Sequence, residues 1–209
     1  MKTNIIKALR LLFACAALAC LCASCTTDIT LELKKDGSVD VEFSGAAGNA
    51  FAALINSTGS VVFDTKEIEY EMGANGFSNV KAVSKNGPDL TINMKDKNGK
   101  SALFTSGVVS VKNGRLGATL SPESLVKFYT AADSQTVMFL DMLLAPIFND
   151  EIMSEEEYLE VIAAFYGEEI AEEMKTSSFR ITLKNPDGTQ TIQNIKFAKL
   201  LTLNEVLRF

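Results

Sequence analysis

Apolar and polar residues alternate strictly over residues 28–34, with Ile29, Leu31 and Leu33 on one face and Thr30, Glu32 and Lys34 on the other. A period of two predicts a strand with one buried face. Lys35-Asp36-Gly37-Ser38 reads as a turn, and Val39, Val41 and Phe43 then alternate with Asp40 and Glu42, so the two runs form a hairpin. Residues 46–56 predict a short helix through Phe51, Leu54 and Ile55. Asp64-Thr65-Lys66-Glu67 has the form of a capping box and opens a second helix that ends near Gly73. Strands are expected at 80–83 and 90–95, joined by Lys85-Asn86-Gly87-Pro88. Two more, at 108–112 and 115–120, flank Asn113-Gly114, a strong two-residue hairpin signal.

The period then lengthens. Ser121-Pro122-Glu123 starts a helix, with serine as cap and proline at the first helical position, and Leu125, Phe128 and Tyr129 follow. Residues 137–148 are apolar on all sides of a helix, with Asp141 the only charge, and Pro146 ends or kinks the run. Ser154-Glu155-Glu156-Glu157 is a second capping box, and Leu159, Ile162, Phe165 and Tyr166 form the expected apolar stripe behind it. Gly167 weakens the helix before 168–174. Phe179, Ile181 and Leu183 return to alternation, Asn185-Pro186-Asp187-Gly188 turns the chain, and 192–197 is the last expected strand. The sum is an α+β fold, a mostly antiparallel sheet with helices packed on it and concentrated at 121–175.

Composition changes this picture at the amino terminus. Residues 1–10 hold Lys2, Lys7 and Arg10 and no acid, and residues 11–21 are apolar throughout. A basic start, a short apolar core and small residues after it are the parts of a secretory signal. The apolar run is too short to span a bilayer core of ~30 Å. All four cysteines, Cys15, Cys20, Cys22 and Cys25, lie within this stretch. Cleavage before Cys25 leaves one cysteine in 185 residues, so a disulfide, a thiol nucleophile or a cysteine metal site is not expected in the exported domain. The leader carries three of the 20 bases and none of the 26 acids; the remainder is formally −9. Such a charge argues against nucleic acid as partner and against attraction to anionic headgroups.

Leu21-Cys22-Ala23-Ser24-Cys25 resembles the lipobox of bacterial lipoproteins, in which small residues precede a cysteine that is lipidated and becomes residue one. The resemblance implies a leader at 1–24, acyl chains such as palmitate on Cys25, and one anchored soluble domain at 25–209 in the cell envelope. Several acyl chains hold a protein at a membrane where one alone is marginal. Cys25, the hairpin at 28–43 and the Ala/Phe-rich helix after it also resemble the start of LppM-like lipoprotein domains. That likeness covers about the first third of the exported chain. It implies a non-enzymatic envelope domain.

Catalytic constellations are sparse. The chain has no His and no Trp. Ten carboxylates between Asp150 and Glu173 precede the next base, Lys175. Helix dipoles and solvated faces account for them more simply than an acid–base pair does. Asp96-Lys97-Asn98-Gly99-Lys100-Ser101 has a trace of a calcium loop but lacks its later ligands, and reads as a turn. Ser124-Leu125-Val126-Lys127 matches S-x-x-K without the partner strings that penicillin-binding enzymes need. No cofactor or metal site is expected. The apolar run at 137–148 is left with several roles: buried core, the lining of an apolar ligand pocket, a partner face, or membrane insertion. Phe139, Met142 and Leu143 are the candidate contact residues. The expectation is a non-enzymatic, lipid-anchored envelope protein that binds an apolar ligand or an envelope partner. The alternative is a structural or surface-interaction lipoprotein with no small ligand.

Overall fold

The structure is a computed structural model that describes residues 26–46, 48–50, 52–53, 64–84, 89–124 and 152–209. The alternation at the start of the chain forms β1 (Thr26–Leu33) and β2 (Val39–Gly45). Leu31, Leu33, Val39, Val41 and Phe43 are all buried. The turn between them closes through Lys34 N–H to Ser38 C=O at 2.8 Å, with Gly37 at φ +81°.

Helix α1 (Thr65–Ala74) is capped by Asp64, whose carboxylate accepts from the N–H groups of Lys66 and Glu67. It buries Ile68 and Met72 and leads into β3 (Ser78–Ser84), which pairs antiparallel with β4 (Leu90–Asp96). A single helical turn, α2 (Ala102–Thr105), precedes β5 (Val109–Lys112) and β6 (Arg115–Leu120). Asn113 and Gly114 take φ +52° and +71° between them, as a tight hairpin whose turn matches the strand twist requires. Later come α3 (Glu155–Tyr166), α4 (Glu168–Thr176), β7 (Ser178–Lys184), β8 (Gln190–Lys196), α5 (Phe197–Leu201) and β9 (Leu207–Arg208).

The main sheet has six strands in the order β3-β4-β2-β1-β7-β8. Four of its pairings are antiparallel, and β1 runs parallel to β7. That parallel seam joins the two ends of the chain in the middle of the sheet. Its register sets Leu183, Leu31, Val41 and Met94 in one row and Ile181, Ile29, Phe43 and Ile92 in the next. The helices cover this apolar face. Tyr158 and Ile162 of α3, Met174 of α4 and Phe197 of α5 are each 1 % exposed and belong to the same buried cluster. A smaller sheet, β5-β6-β9, adds Val109, Leu116, Ala118 and Leu120 to it.

The main sheet is mixed but mostly antiparallel, as expected. Two expectations are revised. The apolar stripe of α3 runs Tyr158–Ile162–Tyr166, an i, i+4 ladder, and Phe165 falls on its flank at 69 % exposure. The last main-sheet strand stops at Lys196, because Phe197 opens a helix. Helix α1 stands outside 121–175 where the Asp64 capping box predicts it, and residues 125–151 of that span lie outside the described residues. The predicted helix at 46–56 is helical at residues 49, 50, 52 and 53, the part of it that is described. No helix among the described residues is long and apolar enough to cross a membrane.

Candidate functional site

Cys25, Phe139, Met142 and Leu143 lie outside the described residues, as does the whole apolar run at 137–148. What the structure does place is the chain on either side. Strand β1 begins at Thr26, directly after Cys25 and two residues earlier than its alternation predicts. The helix expected at Ser121 does open there. Ser121 Oγ accepts from Ser124 N–H at 3.2 Å, and Ser124 Oγ accepts from Ser121 N–H at 2.9 Å and donates to Ser121 C=O at 2.8 Å. Ser124 is buried, and its hydroxyl proton is used by that carbonyl, which suits a cap and not a nucleophile.

The carboxylates divide by the same logic. Ser154 Oγ accepts from Glu157 N–H at 3.2 Å, and Glu157 accepts from Ser154 N–H at 2.9 Å, so the capping box is complete. The Ser154 backbone N–H, with its hydroxyl, holds the Glu157 carboxyl below its usual range. Glu173 reaches from α4 to Ala50 N–H at 2.8 Å, at the start of the helical residues after β2. A side chain at Gly48 would bring a Cβ within 2.4 Å of that carboxylate. Asp96 is 1 % exposed and accepts from Asn98, Gly99, Lys100 and Ser101 N–H at 2.8, 2.7, 3.4 and 2.9 Å. Burial pushes its carboxyl up, but Ser101, through its hydroxyl and N–H, and the N–H groups of Asn98 and Gly99 outweigh this and hold it low. Its lone pairs are occupied by backbone, and the loop is a turn, as its Asn98-Gly99 pair predicts.

A shallow groove of about 420 Å³ lies on the polar face of the main sheet. Its floor is a cross-strand row read directly from the register: Lys184, Glu32, Asp40 and Lys95 on β7, β1, β2 and β4. Thr30, Glu42 and Asn93 form the next row. Lys34 bridges Glu32 and Asp40, the latter at 3.2 Å, and Lys95 lies 3.5 Å from Asp40. The hydrogen bond to Glu32 raises the Lys34 pKa, burial opposes the shift, and Asp40 adds to it. The two carboxylates are neighbours in the row, flanked by Lys184 and Lys95, and Lys34 between them offsets their repulsion. The groove offers hydrogen-bond donors and acceptors to a polar ligand, but no thiol, imidazole or serine hydroxyl lines it. Among the described residues no group of three His, Cys, Asp or Glu side chains could hold a metal ion.

Compared with protein-family models, with curated proteins and with solved structures, the chain matches none.

Proposed function

We propose that the chain is an exported, lipid-anchored binding domain of the bacterial cell envelope, and that it has no catalytic role. The observation that carries this reading is the run from Leu21 to Cys25 set against β1, which begins at the next residue. An acyl group on Cys25 would hold an interior strand of the main sheet at the bilayer with no tether between them. The charges of the polar groove support binding over catalysis, because they neutralise one another across the strands. In this reading the helices concentrated at 121–175 form the contact region. Phe139, Met142 and Leu143 face an apolar ligand or an envelope partner there.

The test is metabolic labelling with an alkyne analogue of palmitate in a bacterial host, followed by membrane fractionation. The expected result is a labelled band in the membrane fraction, lost on Cys25→Ser together with membrane association. An unlabelled protein free of the membrane would overturn the anchor. Native mass spectrometry of the soluble form without the anchor, residues 26–209, purified without detergent, then reads the ligand. A copurified acyl lipid supports the pocket, and its loss on Phe139→Asp with folding kept assigns the site. A bare chain mass favours the surface-interaction alternative.

A further inference from the structure

The two edges of the main sheet are finished differently. Strand β3 is guarded twice. Its register with β4 shifts between Ser78 and Lys81, with Asn79 at φ +54°, and Glu69 of α1 accepts the outward N–H of Ala82 at 3.2 Å. Bulges and covering groups of this kind stop a sheet edge from recruiting another strand. Strand β8 has neither device. All seven of its residues pair with β7 in unbroken register, it contains no proline, and six of the seven are exposed. Ile192 is 54 % exposed.

Two hydrogen bonds fix which way its backbone points. Asn185 N–H donates to Thr189 C=O at 2.9 Å, and Phe197 N–H donates to Ser177 C=O at 3.0 Å. Both lie on the β7–β8 register, so the hydrogen-bonded pairs fall at odd-numbered residues. The N–H and C=O groups of Gln190, Ile192, Asn194 and Lys196 therefore point away from β7, as a row spaced for one more strand. The charge of this edge is the reverse of the molecule's. β7 and β8 carry Arg180, Lys184 and Lys196 and no acid, in a chain of formal charge −6. Arg180 is paired with Asp28, and Lys196 lies 4.0 Å from Glu155. Lys184 is exposed and forms no ion pair among the described residues.

We propose that β8 is a docking edge for an extended, acidic peptide segment of another protein, which adds to the main sheet as a seventh strand. A second copy of this chain fits less well. Antiparallel β8–β8 pairing would place Lys196 of one copy in the same row as Lys184 of the other. An incoming residue opposite Gln190 stands two strands from Lys184, about 10 Å, within reach of two long side chains of opposite sign. Opposite Ile192 an apolar residue fits, and opposite Lys196 an acid. The proposal uses neither an acyl group on Cys25 nor residues 125–151, so it stands whether or not those readings hold.

The test uses a fluorescein-labelled peptide, Glu-Thr-Asn-Thr-Val-Thr-Glu, written antiparallel to β8, and its counterpart with lysine at both ends. Fluorescence anisotropy is read against the full chain. The acidic peptide should bind about fivefold or more tightly than the basic one, and the gap should narrow with salt. Ile192→Pro removes an outward donor that the β7 ladder does not use, so binding should vanish with the thermal midpoint nearly unchanged. Lys184→Glu, which leaves the backbone edge intact, should invert the preference. Equal binding of both peptides, or binding that survives Ile192→Pro in a folded protein, overturns the proposal. A concentration-dependent dimer that Ile192→Pro abolishes would overturn it in favour of self-pairing.

Discussion

Replacing Asp96 with alanine removes one carboxylate and strands four N–H groups at once. Three of the bonds, to Asn98, Gly99 and Ser101, are 2.7–2.9 Å long. Hydrogen bonds to a charged acceptor contribute about 1.5–3 kcal/mol each. Asn98 and Gly99 are exposed, so water replaces much of what they lose; Ser101 is 0 % exposed and has no such recourse. The loop also supports its surroundings, since Ala102 N–H donates to Asn75 C=O at 3.2 Å, tying it to the end of α1. The expected loss is about 3–5 kcal/mol for Asp96→Ala, and roughly half that for Asp96→Asn, which keeps one acceptor oxygen. At about 2–4 °C per kcal/mol for a chain of this size, the alanine variant should melt roughly 10 °C lower by circular dichroism at pH 7. The carboxyl is held below its ordinary value of 3.8 in the folded state, so the unfolded chain takes up its proton first as pH falls. Its stabilisation is therefore complete above pH 3.8 and fades below it as the folded-state value is crossed. The wild type and Asp96→Asn should differ at pH 6 and converge in acid. A loss below about 1 kcal/mol, or a gap between the two that widens as pH falls, would refute the account of this loop.

Three further changes probe a helix cap and two glycines. Ser154→Ala removes the hydroxyl half of the α3 capping box and should lower stability by about 1 kcal/mol in urea unfolding, with glycine at the same position milder. Gly76 has φ +91°, and a Cβ there would stand 3.0 Å from Lys100 C=O and 3.1 Å from Ser101 Cα. Gly76→Ala should therefore cost about 2 kcal/mol or more, since both the dihedral and the backbone contact resist it; a neutral result would mean that the loop moves freely against α1. Gly48→Ala meets only the end of the Glu173 side chain. Its cost, about 1 kcal/mol, should disappear in a Glu173→Ala background, a coupling that a double-mutant cycle reads directly.

The local rules carried most of the fold because each depends on neighbouring residues. Alternation located β1, β2, β4, β7 and most of β8, the Asn113-Gly114 pair located its hairpin, and the capping boxes located the starts of α1 and α3. What failed depends on partners distant in sequence. The rows Ile29, Leu31 and Phe179, Ile181, Leu183 announce two strands with a buried face, but nothing in either says that they run side by side and parallel. Strand β9 is two residues long and has no period to detect. Phe197, Ala198, Leu200 and Leu201 are buried all round, a pattern common to a strand end and a short core helix. Phe165 entered the predicted stripe because apolar spacing does not show which edge of the stripe the sheet covers. For the sites the division is the same. The sequence marked 96–101 as a turn, yet only the fold shows that Asp96 organises it from a buried position. The basic strip on β7 and β8 is visible in the sequence, but that β8 is an edge is a property of the topology alone.

The two proposals meet in the geometry of the parallel seam. Thr26 pairs with Ser178 across the seam, and Ser178 pairs with Lys196. The start of β1 and the end of β8 therefore stand level, two strands or about 10 Å apart. Because β8 runs antiparallel to both β1 and β7, its open edge descends from Gln190 to Lys196 toward the residue that follows Cys25. With an acyl group on Cys25, a peptide paired along β8 would have one end near the bilayer and the other near the Asn185–Thr189 turn. An acidic segment is repelled by anionic headgroups at short range, within a screening length of about 10 Å. Its anchor-proximal end should then gain most from Lys196, so Lys196→Gln should weaken the acidic peptide more on anionic vesicles than on neutral ones. Lys184→Gln, set some six residues along the edge, should weaken it equally on both.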